Sequence, residues 1–150
     1  MFSGIKLSSF HRSRIARSTI AAYLATEYRI QGEWPLALRI GQPDAQLAAL
    51  YRTHSVETAT VLTAWNPYSE PRPDAKNRAA QGHLISELDR LGLRHEPGHG
   101  ADPTGIWPPE DSRLVFGLDL ATATSLGIRF GQNGYVWAAA DAEPTLVLLR

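Results

Sequence analysis

The segment from Val56 to Trp65 constrains the fold more than any other part of this chain. Its later residues, V-L-T-A-W, begin with a β-branched residue and are largely apolar without alternation. This pattern is typical of a central strand that is buried on both faces. The run stops at Asn66-Pro67, and a proline cannot donate to a β-ladder. The sequence therefore predicts a central strand whose end presents polar groups at one edge of a sheet.

Strands and helices alternate in a defined order after this segment. Asp74 is positioned as the N-cap of a helix from Ala75 to Leu91, and Gly92 ends that helix. The later elements are predicted to be strands Leu93–Glu96, Arg113–Leu118, Tyr135–Ala139 and Leu146–Leu149, and a helix from Leu120 to about Phe130. This order is the split βαβ pattern of a ferredoxin-like fold. A differently connected, mixed sheet remains the alternative.

The first 55 residues predict a helix and a hairpin that extend or cover this core. The helix spans Ile15–Leu24, and the alternating segments Thr26–Gln31 and Leu36–Ile40 form the hairpin. A second helix starts at Pro43-Asp44 and ends near His54. We therefore expect one α+β domain, a two-layer sandwich with a ferredoxin-like core at residues 56–150, an N-terminal helix and a β-hairpin.

Basic residues dominate the start of the chain. Four of them precede the first acid, Glu27: Lys6, Arg12, Arg14 and Arg17. An acid-free start of this kind resembles an organellar transit peptide, but a basic, flexible terminus at residues 1–14 is the simpler interpretation. It lacks the apolar core of a secretory signal. We therefore expect a cytoplasmic protein.

Composition narrows the classes of function. The formal net charge is +0, so no global electrostatic footprint for nucleic acid is present, and we expect no nucleic-acid partner. With 0 cysteines, disulfides, thiolate catalysis and cysteine-ligated metals are excluded. No apolar run approaches the ~20 residues needed to span a bilayer, so we expect no membrane partner.

The predicted topology gathers distant polar residues at one sheet edge. Asn66 ends the first core strand, Asn77 lies in the first turn of the next helix, Glu110 precedes the third strand, and Gln132 precedes the fourth. The amides would supply fixed donors and acceptors, and Glu110 is the candidate catalytic acid–base group. Whether the protein is an enzyme is left open.

Three further residues complete the predicted ligand-binding set. Asp102 and Trp107 belong to the Gly- and Pro-rich loop Pro97–Asp111, which is long for a compact domain and would roof the site. Arg78 would strengthen the positive end of its helix for an anion. Each candidate also has a structural interpretation, as a turn, brace or packing residue. The hypothesis rests on their convergence.

Other chemistries lack support in the sequence. His95, His99 and Asp102 have ligand-like spacing, but they lie in the Gly-rich region and not on one rigid face, so we predict no metal site. No nucleophile elbow, Walker pattern or dinucleotide fingerprint occurs, and we predict no cofactor.

Four motifs together resemble the bacterial DUF3293 family over about Tyr23 to Arg150. They are T-A-W-N-P (Thr63–Pro67), Asn77, G-x-W-P-P-E (Gly105–Glu110) and F-G-Q-N (Phe130–Asn133). The resemblance implies that Asn66, Asn77, Trp107, Glu110 and Gln132 are signature positions, and it implies a bacterial cytoplasmic setting. It carries over no chemistry, because the family is named for its unknown function.

Two functional hypotheses follow. The first is binding of a polar or anionic, nucleotide-like small molecule in an amide-rich pocket at the sheet edge. The second is a non-catalytic interaction or homodimerisation module, in which the polar cluster is structural. Its working surface would be the hairpin Thr26–Gly41 or the final strand, Leu146–Leu149.

Overall fold

The computed structural model describes residues 13–150, which form one sheet and its helices. The four α-helices of this part are α1 (Arg17–Ala25), α2 (Ala45–His54), α3 (Asp74–Arg90) and α4 (Leu120–Arg129). The strands are β1 (Glu27–Ile30), β2 (Leu36–Arg39), β3 (Ala59–Leu62), β4 (His95–Ala101), β5 (Glu110–Phe116), β6 (Gly134–Ala138) and β7 (Pro144–Leu148). The basic terminus predicted at residues 1–14 lies almost wholly outside the described residues.

All seven strands belong to one antiparallel sheet in the order β2-β1-β4-β5-β3-β6-β7. The α+β class and the N-terminal hairpin are therefore confirmed, and the mixed-sheet alternative is wrong. The strand β3 lies between β5 and β6, and all of its residues are buried. Its predicted central position is confirmed. Helix α3 connects β3 to β4, and helix α4 connects β5 to β6.

Helices cover both faces of the sheet, so the expected two layers are in fact three. On one face α2 packs Leu47 and Leu50 against Val61 of β3. On the other face α3 and α4 pack Leu84 and Leu126 against the opposite side chains of the central strands and β7. Because side chains alternate along a strand, β3, β5 and β6 contribute apolar residues to both layers. None of the helices described is long and apolar enough to cross a membrane.

Two local predictions are wrong. Asp74 is the first residue of α3 and not its cap, because the N-cap position is occupied by Pro73. The loop predicted from Pro97 to Asp111 is shorter, since β4 continues to Ala101 and β5 begins at Glu110. The glycines of β4 serve close packing of neighbouring strands: a Cβ on Gly98 would lie 2.7 Å from the Arg29 carbonyl oxygen.

Candidate ligand-binding site

Two asparagines meet where the chain leaves β3. Asn77 lies in the first turn of α3 and is 1% exposed. Its Nδ2 donates to Oδ1 of Asn66 at 2.7 Å, and the backbone N of Asn66 donates to Oδ1 of Asn77 at 2.9 Å. Asn66 adopts a left-handed conformation with φ 44°, which asparagine tolerates better than most residues. The pair ties the end of β3 to the start of α3.

Arg72 and Glu110 extend this pair into a cluster. Arg72 donates its backbone N to Oδ1 of Asn66 at 3.2 Å and its Nε to Oδ1 of Asn77 at 2.8 Å. Nδ2 of Asn66 donates to Oε1 of Glu110 at 3.1 Å. We call Asn66, Arg72, Asn77 and Glu110 the amide–carboxylate cluster. It joins residues that are far apart in the sequence, as the predicted topology requires.

Glu110 is the ionisable group of this cluster, and its surroundings alter its acidity. Burial raises the pKa of Glu110, and the hydrogen bond from Asn66 acts in the opposite direction. The register places Glu110 opposite Gly100, which is opposite Tyr28, so a residue without a side chain separates the carboxyl group from the phenol. Oε2 of Glu110 accepts no hydrogen bond from the residues that the structure describes. One carboxyl oxygen is therefore held, and the other is available.

Amide side chains also brace the end of β3 through its backbone. Oε1 of Gln81 accepts from the backbone N of Ala64 at 2.9 Å. Nε2 of Gln132 donates to the carbonyl oxygens of Trp65 and Phe130, each at 3.3 Å. Gln132 thus contacts the backbone of Trp65, the residue before Asn66, and it makes no hydrogen bond to the side chains of the amide–carboxylate cluster.

The remaining predicted site residues lie apart from the cluster. Asp102 organises its own turn, accepting from the backbone N of Thr104 at 2.9 Å and of Trp107 at 3.0 Å. Hydrogen bonds from Thr104, first that of its hydroxyl group, lower the pKa of Asp102. Trp107 is 64% exposed. Arg78 is exposed on α3, and no hydrogen bond or ion pair connects it to another described residue.

A second polar group, of which the sequence indicated only Asn133, lies beside the cluster. The hydroxyl groups of Tyr23 and Ser69 are hydrogen-bonded to each other. Nδ2 of Asn133 donates to the Tyr23 hydroxyl at 3.2 Å and to Ser69 Oγ at 3.1 Å. We call these three residues the hydroxyl trio. Asn133 stands in the F-G-Q-N motif, but Tyr23 is 110 positions away and gave no sequence signal.

His95, one of the two histidines considered as metal ligands, has other partners. Nε2 of His95 lies 2.6 Å from Oδ1 of Asp89, and Nε of Arg113 donates to Nδ1 of His95 at 2.9 Å. Within residues 13–150 no three His, Asp or Glu side chains are grouped so that they could hold a metal ion. His95 instead links α3 to β4 and β5.

The fold and the cluster define a small antiparallel α+β domain with a hydrogen-bonded polar site at one sheet end. Residues 62–134, just under half of the chain, match the family model DUF3293, described as a protein of unknown function. The resemblance to that family is thereby confirmed, and the matched segment contains the Asn66, Asn77, Glu110 and Gln132 positions. No curated protein and no solved structure matches the chain.

Proposed function

We propose that this domain binds a polar, nucleotide-like small molecule at the end of the sheet, with Glu110 as the principal contact. One observation carries the proposal: the Glu110 carboxyl group is partly buried, is held through Oε1 by Asn66, and has no cationic partner among its hydrogen bonds in the described structure. Burying a carboxyl group without a charged partner is unfavourable, so such groups concentrate at functional sites.

Two hydrogen-bonding groups of the cluster that have no partner among the described residues indicate the kind of ligand. Oε2 of Glu110 can accept a hydrogen bond, and Nδ2 of Asn66 has a second N–H beyond the one donated to Glu110. An acceptor beside a donor complements the edge of a nucleobase, which also presents donors and acceptors side by side. Arg72 supplies positive charge within the cluster, and the exposed Arg78 adds positive charge in the first turns of α3, apart from the cluster.

The arrangement of the sheet supports a ferredoxin-like assignment for residues 56–150. The neighbouring strands β4-β5-β3-β6 are all antiparallel, and α3 and α4 provide the two crossover connections. In this arrangement the end of β3 and the start of β5 share one edge, where Asn66 and Glu110 meet. The DUF3293 resemblance supports a bacterial, cytoplasmic setting, which remains part of the proposal.

A ligand screen followed by NMR tests the proposal. Uncharged nucleosides and nucleobases would be screened by thermal shift, and any hit would be titrated into ¹⁵N-labelled protein. We expect a saturable rise in melting temperature, with the largest shift changes at the side-chain amides of Asn66 and Asn77. The proposal is wrong if no compound binds, or if the changes map to another surface. Assaying the same compounds for turnover tests the acid–base role of Glu110.

The interaction module is a second candidate because of a different observation. Ile106 is 74% exposed and Trp107 is 64% exposed, at the tip of the β4–β5 connection. Within the described sheet, β2 and β7 each pair with a single strand, but the backbone N of Gly41, just after β2, donates to the Pro144 carbonyl oxygen of β7 at 2.8 Å, so only the part of each edge beyond this contact could pair with another chain. Sedimentation equilibrium tests this candidate. A dimer that shows no response to any nucleoside would favour it over ligand binding.

A further inference from the structure

We infer that the hydroxyl trio, Tyr23, Ser69 and Asn133, binds an oxyanion and that this oxyanion is the phosphate group of the nucleotide-like ligand. The inference rests on the proposed function, which concerns the other end of the same molecule. It concerns α1, the segment after β3, and the turn before β6, which meet beside the amide–carboxylate cluster.

A count of hydrogens shows that the trio has an unused donor. Both N–H groups of Asn133 Nδ2 are directed to the two hydroxyl oxygens. One hydroxyl group donates to the other, whichever of Tyr23 and Ser69 is the donor. The second hydroxyl hydrogen then has no acceptor among the described residues. Both hydroxyl oxygens already accept a hydrogen bond from Asn133, so a further donor is not needed. What the trio lacks is an acceptor for its remaining hydroxyl hydrogen, such as a ligand oxygen.

Positive charge lies next to this unused donor. NH1 of Arg150 donates to Oδ1 of Asn133 at 3.4 Å, and its guanidinium carbon lies 4.4 Å from the centre of the Tyr68 ring. Stacking on Tyr68 holds a guanidinium whose other N–H groups can reach a ligand. A hydroxyl donor beside a guanidinium group suits a phosphate oxygen, because charge-assisted hydrogen bonds of this kind are strong. The acid nearest to Ser69 in the sequence is Glu70, which directly follows it and is exposed.

The backbone here is held in an unusual conformation. Tyr68 and Ser69 have positive φ values of 57° and 60° although neither is glycine. Conformations of this kind are unfavourable and are concentrated at ligand-binding and active sites. The backbone N of Tyr68 donates to the Gly131 carbonyl oxygen at 2.8 Å, and a Cβ on Gly131 would lie 3.0 Å from Cβ of Pro67. The segment is thus fixed against the turn that carries Asn133, which is 5% exposed.

The trio and the amide–carboxylate cluster are joined through the backbone of one short segment. The backbone N of Ser69 donates to the Asn66 carbonyl oxygen at 2.9 Å. The base of a nucleotide could therefore meet Asn66 and Glu110 while its phosphate meets Ser69 and Arg150. This assigns the ligand to the class of nucleoside monophosphates and similar phosphorylated small molecules.

Titration with inorganic phosphate tests the inference directly. ¹⁵N-labelled protein would be titrated with phosphate at constant ionic strength, with chloride, sulfate and acetate as separate arms. We expect saturable shift changes at the Asn133 side-chain amide and the Ser69 backbone amide. Sulfate should act as phosphate does, acetate more weakly, and chloride not at all. Equal changes with chloride, or changes that never saturate, would overturn the inference.

Substitutions separate the trio from a general effect of charge. Tyr23→Phe and Ser69→Ala each remove one hydroxyl, and each should weaken phosphate binding about tenfold. The matched control, Arg52→Gln on the exposed side of α2, should bind phosphate as the unaltered protein does. If either hydroxyl variant unfolds, the titration of the unaltered protein still decides the matter. Phosphate affinity in both hydroxyl variants equal to that of the unaltered protein would contradict the inference.

The two proposals fail in distinguishable ways. Uncharged nucleosides report on Asn66 and Glu110, whereas inorganic phosphate reports on the trio. Nucleoside binding without phosphate binding removes only the present inference. Phosphate binding without nucleoside binding removes the proposed function, and with it the claim that the oxyanion belongs to a nucleotide.

Discussion

Asn66 and Asn77 hydrogen-bond to each other in both directions, from side chain to side chain at 2.7 Å and from backbone to side chain at 2.9 Å. The pair fixes the strand β3 to the helix α3 across a segment with three prolines. Its amide groups are largely satisfied within the protein. Apart from the second N–H of Asn66 Nδ2, which is left for a ligand, they act through the groups that they position, Glu110 and Arg72.

This bracing role predicts a large loss of stability for Asn77→Ala. The substitution leaves the Asn66 N–H and the Arg72 Nε without their acceptor in a buried place. We expect the free energy of unfolding to fall by about 2–4 kcal/mol. Urea denaturation measures it. Arg78→Ala, one residue further along α3 and exposed, is the control and should change stability by less than about 0.5 kcal/mol. Equal effects of the two substitutions would refute the bracing role.

The raised pKa of Glu110 predicts a pH dependence with a definite sign. Below its ordinary value of 4.5, Glu110 is protonated in both the folded and unfolded states and contributes nothing. Between 4.5 and the raised folded value, the folded state holds the extra proton, so stability falls as pH rises. Above the raised value the loss is complete.

Glu110→Gln removes this loss and keeps an acceptor for Asn66. The stability of the variant relative to the unaltered protein should therefore increase as pH rises above 4.5, until the folded carboxyl group has lost its proton. Urea denaturation of both proteins at several pH values measures the difference. A difference that is flat, or that decreases with pH, would show that Glu110 is not destabilised by burial.

Glu87 should show the opposite dependence. Hydrogen bonding to Arg90, together with the charges of Arg90 and Arg129, lowers the pKa of Glu87 to about 2. Its stabilising contribution is then fully present above its ordinary pKa of 4.5 and is lost as pH falls toward about 2. Thermal unfolding of Glu87→Gln should differ from the unaltered protein at neutral pH and converge with it in acid. A gap that persists in strong acid would contradict this.

Two glycines test the packing of the sheet and of α3. Gly98→Ala in β4 would place a Cβ 2.7 Å from the Arg29 carbonyl oxygen, so β1 and β4 must separate, and a loss of about 1–3 kcal/mol is expected. Gly82→Ala in α3 meets nothing within 4 Å and should stabilise the protein by about 0.5–1 kcal/mol. A melting temperature of Gly98→Ala that stays the same or rises would show that β1 and β4 do not pack this closely, and a fall for Gly82→Ala would show that α3 is crowded there.

Periodicity and strand order predicted much of the fold. The buried run of β3 indicated its central place, and the alternating segments at residues 26–40 indicated the hairpin that pairs Tyr28 with Leu38. The sequence predicted two layers and not three, because nothing in the helix that ends at His54 indicated which face of the sheet it covers. The sequence predicts a loop at Gly98 and Gly100 because glycine gives the same signal in a turn and where strands pack closely.

The sequence predicted those members of the candidate site whose positions depend only on the order of the strands and helices. Asn66, Asn77 and Glu110 follow from the ends of adjacent elements, and the structure joins them by hydrogen bonds. Arg72 was missed because it lies between prolines, and its contacts depend on how that segment turns. Asp102 and Trp107 lie in a turn with its own hydrogen bonds, whose direction the sequence does not specify.

Calorimetric titration of the unaltered protein, Glu110→Gln and Glu57→Gln with adenosine, cytidine, guanosine and thymidine tests the central claim most directly. Glu57 is exposed and precedes β3, at the opposite end of that strand from Asn66, so its substitution makes the same chemical change away from the site. We predict that at least one nucleoside binds the unaltered protein and Glu57→Gln equally, and binds Glu110→Gln about tenfold more weakly or not at all. Equal binding to all three proteins, or no binding to the unaltered protein, would contradict the claim that Glu110 is the contact of a ligand site.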